Sequence, residues 1–365
     1  MKHIPFDVLE DFMQRCLIKK GVPEADAAVV ADVLITADKL GIDSHGINRL
    51  KPIYLDRIDD GILNPETDIE VVKEFGATAV LDGNNGMGHV ISKKAMEMAI
   101  DKAKHHGLGM VAVRHSSHYG IAGYYGLMAE KENMIGITGT NARPSIAPTF
   151  GIENMLGTNP LTFVMPSDED FPFFLDCATS VSQRGKFEYY EKHGKKMPEG
   201  WVITREGKSL TDPKAALDAL VKKEAALTPL GGIGEEGGGY KGYGYATVVE
   251  ILSAALQGGQ FLHALSGFRA GEKVPYRLGH FFIAINVEAF TTIKSFKRIT
   301  GDILRSIRSS KKMPGEKHIY TAGEKEHLNY LERTTYGVPV PPALLEEMRQ
   351  LKDEFELSDF DKYFN

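Results

Sequence analysis

Gly232-Ile233-Gly234-Glu235-Glu236-Gly237-Gly238-Gly239-Tyr240-Lys241-Gly242 is the densest glycine stretch of the chain, and its reading decides the fold class. It holds two overlapping G-x-G-x-x-G matches, Gly232 to Gly237 and Gly237 to Gly242. A dinucleotide fingerprint of this form needs a strand directly before it, so that the turn aims a helix N-terminus at pyrophosphate. The residues before it, Ala225-Ala226-Leu227-Thr228-Pro229-Leu230, make a poor strand containing a proline. The first match would also set Glu235 and Glu236 beside phosphates, which repel them. A Rossmann unit is therefore not expected. The second match does open a helix, read as Tyr245 to Leu256. Its N–H groups and Lys241 suit an anion, and a glycine-permitted tight turn explains the same residues; both readings stand. A Walker A loop fails, because Tyr240 separates Gly239 from Lys241 and Gly242 stands where Ser or Thr would bind magnesium.

Outward from this stretch, helix and strand patterns alternate. Helical patterns at 90–104 and 121–132 each precede an apolar run, Gly109 to Val113 and Met134 to Thr138. Further strand-like runs are Leu161 to Met165, Phe173 to Leu175 and His280 to Val287. Such alternation indicates an α/β or α+β domain. Residues 7–61 read as helical, with Leu9, Phe12, Met13, Cys16 and Leu17 on one face and Ala27, Val30, Val33, Leu34 and Ala37 on another, stopping near Gly41. Residues 183–213 are polar and turn-rich, an excursion from the sheet. A helix is expected from Val287 to Ser309. Residues 316–365 are charged and helical, and are expected to cover the N-terminal helices.

The chain has 365 residues, 42% of them hydrophobic, enough to bury a large core without staples. Its net charge of -6 and short basic runs, Lys222-Lys223 and Lys311-Lys312, argue against nucleic acid. Two cysteines, Cys16 and Cys177, lack any zinc or redox spacing and read as reduced thiols. The N-terminus carries Asp7, Glu10 and Asp11 in place of an apolar targeting core, and no run approaches the roughly 18–20 apolar residues of a membrane span. A cytosolic protein with no membrane partner is expected.

Among the 12 histidines, two groups have chemical company. His115 and His118 lie directly after the strand at 109–113, where binding groups concentrate. A catalytic zinc would need a third protein ligand, which no neighbouring cluster supplies, so no metal is expected. The second group is Asp43-Ser44-His45-Gly46-Ile47-Asn48-Arg49. Asp43 or Ser44 can cap a following helix, and Arg49 falls one turn after His45. Oxidising a 2-hydroxy acid removes a hydroxyl proton, which histidine can take near neutral pH. A guanidinium can hold the acid's carboxylate through two parallel hydrogen bonds. A capped helix with a surface arginine accounts for the same spacing.

Seven segments taken in order carry a specific pattern. They are Asp43 to Arg49, Ser117-His118-Tyr119-Gly120, Gly157-Thr158-Asn159-Pro160, Leu175 to Ser180, Arg184-Gly185-Lys186, Gly238 to Gly242 and Met313-Pro314-Gly315-Glu316. With these, the chain resembles the malate/L-lactate dehydrogenase family of the non-Rossmann type, from about residue 5 to about residue 320. That family includes sulfolactate, ureidoglycolate, diketogulonate and piperideine-2-carboxylate oxidoreductases.

The resemblance implies a mixed α/β fold whose largely antiparallel sheet domain binds NAD(P) without a Rossmann unit. That domain would span 73–299, with a polar excursion at about 183–230. A helical domain would form from 1–72 plus 300–365, and the chain would be a homodimer. The resemblance further implies His45 as proton donor and acceptor, aided by Ser44, with His118 as the alternative. Arg49, Thr158, Arg184 and Gly185 would line the substrate pocket. His118, Tyr119, Gly120, Ile121, Ala122, Asp176, Cys177, Ala178, Tyr240, Lys241, Met313, Pro314, Gly315 and Glu316 would hold NAD, with NADP the alternative.

The reductase branch of the family carries an aspartate where this chain has Lys186. That argues against imine reduction and leaves Asp43 as the substitute carboxylate for His45. The expected reaction is interconversion of a small 2-hydroxy acid and its 2-oxo acid, malate and oxaloacetate first, with Arg49 plus Arg184 or Lys186 meeting two carboxylates. The alternatives are reduction of a sugar-derived diketo acid, ureidoglycolate or sulfolactate oxidation, or a silent NAD-binding protein.

Overall fold

The computed structural model describes residues 1–364. It opens with β1 (Lys2–Ile4), α1 (Phe6–Lys19) and α2 (Glu24–Lys39). A 3-10 turn at Ile47–Arg49, a π-helical turn at Leu50–Leu55 and α3 (Asp56–Asp59) follow without a break. The sheet region runs β2 (Glu70–Phe75), β3 (Thr78–Asp82), α4 (Gly88–His106), β4 (Leu108–Ser116), α5 (Gly123–Lys131), β5 (Met134–Thr140), β6 (Leu161–Met165) and β7 (Phe173–Cys177). The excursion forms α6 (Arg184–Lys192), β8 (Val202–Thr204), α7 (Pro213–Val221) and β9 (Ala225–Leu227). Then come α8 (Gly239–Ala254), the hairpin β10 (Phe268–Arg269) and β11 (Glu272–Lys273), β12 (Leu278–Asn286) and α9 (Ile293–Ser309). The chain closes with α10 (Glu324–Tyr336), β13 (Val338–Val340), α11 (Pro342–Glu354) and α12 (Asp361–Phe364).

Seven strands form one sheet in the order β2-β3-β4-β12-β5-β6-β7. Only the β3–β4 pair is parallel; every other pair is antiparallel. β12 returns from far along the chain to separate β4 from β5, and as a central strand it reads as a nearly continuous apolar run, Phe281-Phe282-Ile283-Ala284-Ile285. α4 buries Ile91, Ala95, Met96, Ala99 and Ala103, the i, i+4 spacing of one helix face, against Leu81, Val111, Val113 and Phe282. The mixed, largely antiparallel sheet is the one expected, and it rules out a Rossmann unit.

Among the described residues four apolar clusters are separate, the smallest being Ala147, Ile203 and Ala226. One joins α1, α2 and residues 47–63 to β13, α11 and α12, and β1 pairs with β13. The second lies under α4 and α5. The third belongs to the excursion, where Phe187, Met197, Val202 and Ala216 pack with Ile146, Leu156 and Ala246.

Three local expectations need correction. Ala225–Leu227 is a strand after all, because Pro229 falls beyond its end; it pairs antiparallel with β8, outside the main sheet. α8 starts at Gly239, six residues before the expected start at Tyr245. Its glycines face the preceding loop, where a Cβ on Gly239 would lie 2.1 Å from Gly232 O and one on Gly242 2.2 Å from Leu230 O. The helix expected over 287–309 is broken: a 3-10 turn ends at Ala289, and α9 starts where Thr292 Oγ1 accepts from the Ser295 N–H at 3.3 Å. No helix among the described residues is long and apolar enough to cross a membrane.

Candidate active site

His45 sits on a loop that α2 hands over to the 3-10 turn. Asp38, in the last turn of α2, is only 2% exposed, and its Oδ2 accepts the Ile47 N–H at 2.8 Å. This is the cap expected of Asp43 or Ser44. A Cβ on Gly46 would lie 1.8 Å from Asp38 Oδ1, so only glycine lets the loop close on that carboxyl. Burial pushes the Asp38 carboxyl up to about 8, partly offset by the Ile47 N–H. From α10, Arg333 donates to Asp38 O at 2.6 Å and grips both carboxylate oxygens of Asp43. Asp43 is thus committed to Arg333 and does not serve the imidazole. Its side chain points to the C-terminal helices because a guanidinium there offers the stronger partner.

The partner of His45 is Ser44, with Oγ 2.8 Å from Nδ1. Arg49 returns to the same residue, its Nε donating to Ser44 O at 2.5 Å. Burial first, and the Arg49 charge second, pull the His45 imidazole down to about 4. It is therefore neutral at pH 7, with one nitrogen free to accept a proton.

His118 comes to the same place from the end of β4. Ser117 holds the approach, accepting from Gly88 N–H at 2.9 Å and donating to Gly86 O at 2.9 Å. The His118 ring stacks on His45 with centroids 5.7 Å apart and planes 15° apart. Its Nδ1 lies 2.6 Å from the Tyr54 hydroxyl and 3.3 Å from Gly120 N–H. An amide can only donate, so Nδ1 is the acceptor and the proton of neutral His118 sits on Nε2. Burial, then the charges of His45 and Arg57, keep His118 well below its ordinary value. His115 does not join this pair. It bonds to Asp82 Oδ2 at 2.9 Å, an oxygen that also takes Arg114 at 2.8 Å.

The segments expected around the cofactor are placed as follows. Tyr119, Ile121 and Ala122 are buried directly after His118. Gly123 N–H, at the start of α5, donates to Asp176 Oδ2 at 2.7 Å, and Thr162 donates to Asp176 Oδ1 at 2.9 Å. Burial raises the Asp176 carboxyl and the half-buried Cys177 thiol. Two residues past Cys177, Thr179 O accepts Leu230 N–H at 2.9 Å, which draws the glycine stretch to the end of β7. Tyr240 and Lys241 are exposed in the first turn of α8. Met313 to Glu316 form an exposed turn after α9, closed by Glu316 N–H to Met313 O at 3.1 Å, and the chain then returns to β7 at Ala322.

Residues 4–349 match the sequence family described as malate/L-lactate dehydrogenase. The chain belongs to this family. It is 44% identical over 348 residues to a malate dehydrogenase of Pyrococcus horikoshii, covering 95% of this chain and 94% of that one. It is 40% identical over 357 residues to an L-sulfolactate dehydrogenase of Methanocaldococcus jannaschii, covering 98% and 96%. The crystal structure of a malate dehydrogenase from Entamoeba histolytica superposes with a TM-score of 0.93 at 46% identity, covering 97% of this chain and 98% of that one.

Within this family fold, not every expected substrate residue reaches His45. Thr158 is half-buried, and its carbonyl takes Thr179 N–H at 2.9 Å. Next to it, Asn159 binds Ala142 N–H through Oδ1 (3.1 Å) and Glu250 Oε2 through Nδ2 (2.8 Å), so this turn anchors the loop at 141–143. Arg184, Gly185 and Lys186 are exposed, and Arg184 pairs with Glu188 at 2.9 Å. No hydrogen bond or ion pair among the described residues links them to the His45 loop; their helix belongs to the excursion core. Sequence reasoning passed over Asp38, Tyr54, Arg57 and Arg333. Tyr54 and Arg57 follow Arg49 by five and eight residues, but Pro52 between them hid the continuity of the helical segment. Asp38 and Arg333 act by long-range packing that no local spacing signals.

Proposed function

We propose that the chain interconverts a small 2-hydroxy acid and its 2-oxo acid with a nicotinamide cofactor, malate and oxaloacetate being the preferred pair. The observation that carries this reading is the convergence of His45, its Ser44 partner, Arg49 and the stacked His118. The named malate dehydrogenases among the relatives support the choice of substrate.

The residues present fit a nicotinamide dinucleotide. Ser180 Oγ is buried without a hydrogen-bond partner, between the end of β7 and the start of the glycine stretch. The first turn of α8 presents N–H groups and Lys241 with no acid in that turn, a setting that suits phosphate oxygens. Tyr119 to Ala122, Asp176 to Ala178, Tyr240-Lys241 and Met313 to Glu316 would hold the group, NAD or NADP. When bound, that group would supply the hydride acceptor for oxidation and the hydride donor for reduction.

The chain's own residues move the proton. In oxidation, His45 Nε2 takes the proton of the substrate hydroxyl while Nδ1–H donates to Ser44 Oγ, which fixes the tautomer. The Nη groups of Arg49 have no carboxylate partner among the described residues, and they hold the substrate carboxylate as a fork. That carboxylate also cancels the charge that helps to depress His45, so substrate binding strengthens the base. His118 Nε2–H donates to the substrate oxygen, with Tyr54 and Gly120 holding the ring. NADH and NADPH consumption over a panel of 2-oxo acids tests the reading. Turnover with oxaloacetate above the other acids is expected; nucleotide binding with no turnover of any acid overturns it.

A further inference from the structure

We propose that Arg57 is the specificity residue for a second anionic group on the substrate, a carboxylate or a sulfonate at the end remote from the one Arg49 holds. This rests on the reading of His45 and Arg49 as the substrate site.

Pro52 shapes the segment between Arg49 and Arg57. Proline has no N–H and crowds the preceding turn, and the segment answers with a π-helical stretch at Leu50–Leu55. The wider turn lets eight residues close two turns, where an ideal α-helix would need about seven. Two turns set Arg49 and Arg57 on the same side of this segment, and the charge of each is felt at His118. Between them, Tyr54 is buried with its hydroxyl 2.6 Å from His118 Nδ1, which fixes this part of the segment against the catalytic pair.

The charges around Arg57 are unusual. Each acid flanking it has a lysine: Asp56 pairs with Lys51 at 2.6 Å, Asp59 with Lys20 at 2.8 Å and Asp60 with Lys273 at 2.6 Å. Arg57 itself has no ion pair among the described residues. It is half-buried, with Cζ 4.3 Å from the centroid of the Tyr276 ring. Stacking orients a guanidinium without using its N–H groups, so the fork stays available to an anion. Burial lowers the Arg57 guanidinium from its ordinary value; Tyr276 and Tyr54 oppose this, while the charges of Arg143 and Arg49 add to it. A partly desolvated cation among other cations, with its local acids already taken, is a poor arrangement for the empty protein and a good one for a dianion. The cation expected beside Arg49 was Arg184 or Lys186, which are exposed on α6; the proposal gives that role to Arg57.

The test separates this subsite from the reaction. Calorimetric titration of the NADH complex with succinate and with butyrate compares ligands of equal length that differ in one carboxylate. Succinate is expected to bind about 10- to 100-fold tighter, the usual range for a charge-assisted pair, and Arg57→Gln should erase that preference without weakening butyrate. Arg57→Lys should recover part of it. In turnover, Arg57→Gln should raise KM for oxaloacetate by a similar factor and leave pyruvate unchanged, whereas Arg49→Lys should weaken both. Equal binding of the two ligands by the unaltered protein, or equal losses on both substrates in folded Arg57→Gln, overturns the proposal. Loss of the succinate preference in a protein with no turnover would uphold the subsite and remove the dehydrogenase reading.

Discussion

Replacing Gly46 by alanine would set a methyl carbon 1.8 Å from Asp38 Oδ1, 2.2 Å from its Cγ and 2.5 Å from Oδ2. Asp38 has little freedom to retreat. It is 2% exposed, its Oδ2 holds the Ile47 N–H, and its carbonyl takes Arg333. Either the carboxyl rotates away and leaves a buried N–H unpaired, which costs about 1–3 kcal/mol. Or the backbone shifts to relieve the overlap, at about 1–3 kcal/mol for overpacking. Either way the expected destabilisation is about 1–3 kcal/mol, read from urea unfolding. Because His45 directly precedes the substituted residue, a shift approaching 1 Å should lower kcat on the order of 100-fold. A double-mutant cycle sharpens the test: Asp38→Ala removes the colliding atoms, so adding Gly46→Ala to it should cost almost nothing further. A Gly46→Ala protein within about 0.5 kcal/mol of the parent, with unchanged kcat, would refute the reasoning.

The remaining predictions concern the same loop and its neighbours. Arg333→Met should free the His45 loop from α10, costing about 1–2 kcal/mol in stability and lowering kcat severalfold; unchanged unfolding and turnover would show the latch to be idle. Tyr54→Phe removes the hydroxyl from His118 Nδ1, so kcat should fall about tenfold with little change in fold, measured by steady-state kinetics beside thermal unfolding. The base must be neutral, and His45 titrates near 4 in the free protein, so kcat/KM for oxidation should hold as pH falls from 7 and be lost only as it passes through about 4. Arg49→Gln removes a charge that lowers His45, so the same limb should move upward. A limb near 6.5 in the unaltered protein would contradict the burial of this imidazole.

The sheet strands and the long helices could be read from the chain because their signals are local. β5, β6 and β12 are apolar runs, and α1 and α4 repeat their buried residues at helical spacing. The order of the strands could not be read, since β12 pairs with β4 and β5 across more than a hundred residues. The motif around His45 was visible as a motif, but its supports were not. Asp38 takes the capping role through a carboxyl that only Gly46 admits, and Arg333 draws Asp43 away from the imidazole. Arg184 looked like a substrate cation because it follows a family pattern; α6 packs through Phe187 into a separate core, and the arginine stays with Glu188. Arg57 carried no signal beyond its spacing from Arg49, because the π-helical turn that aligns the two depends on how the chain accommodates Pro52.

The most direct test of the account is the His45→Gln protein, assayed for NADH oxidation with oxaloacetate while NADH binding is followed by fluorescence. Turnover should fall to background with nucleotide affinity nearly unchanged, and the loss in His118→Gln should be smaller. Sustained turnover in His45→Gln, with turnover abolished in His118→Gln, would contradict it and move the proton role to His118.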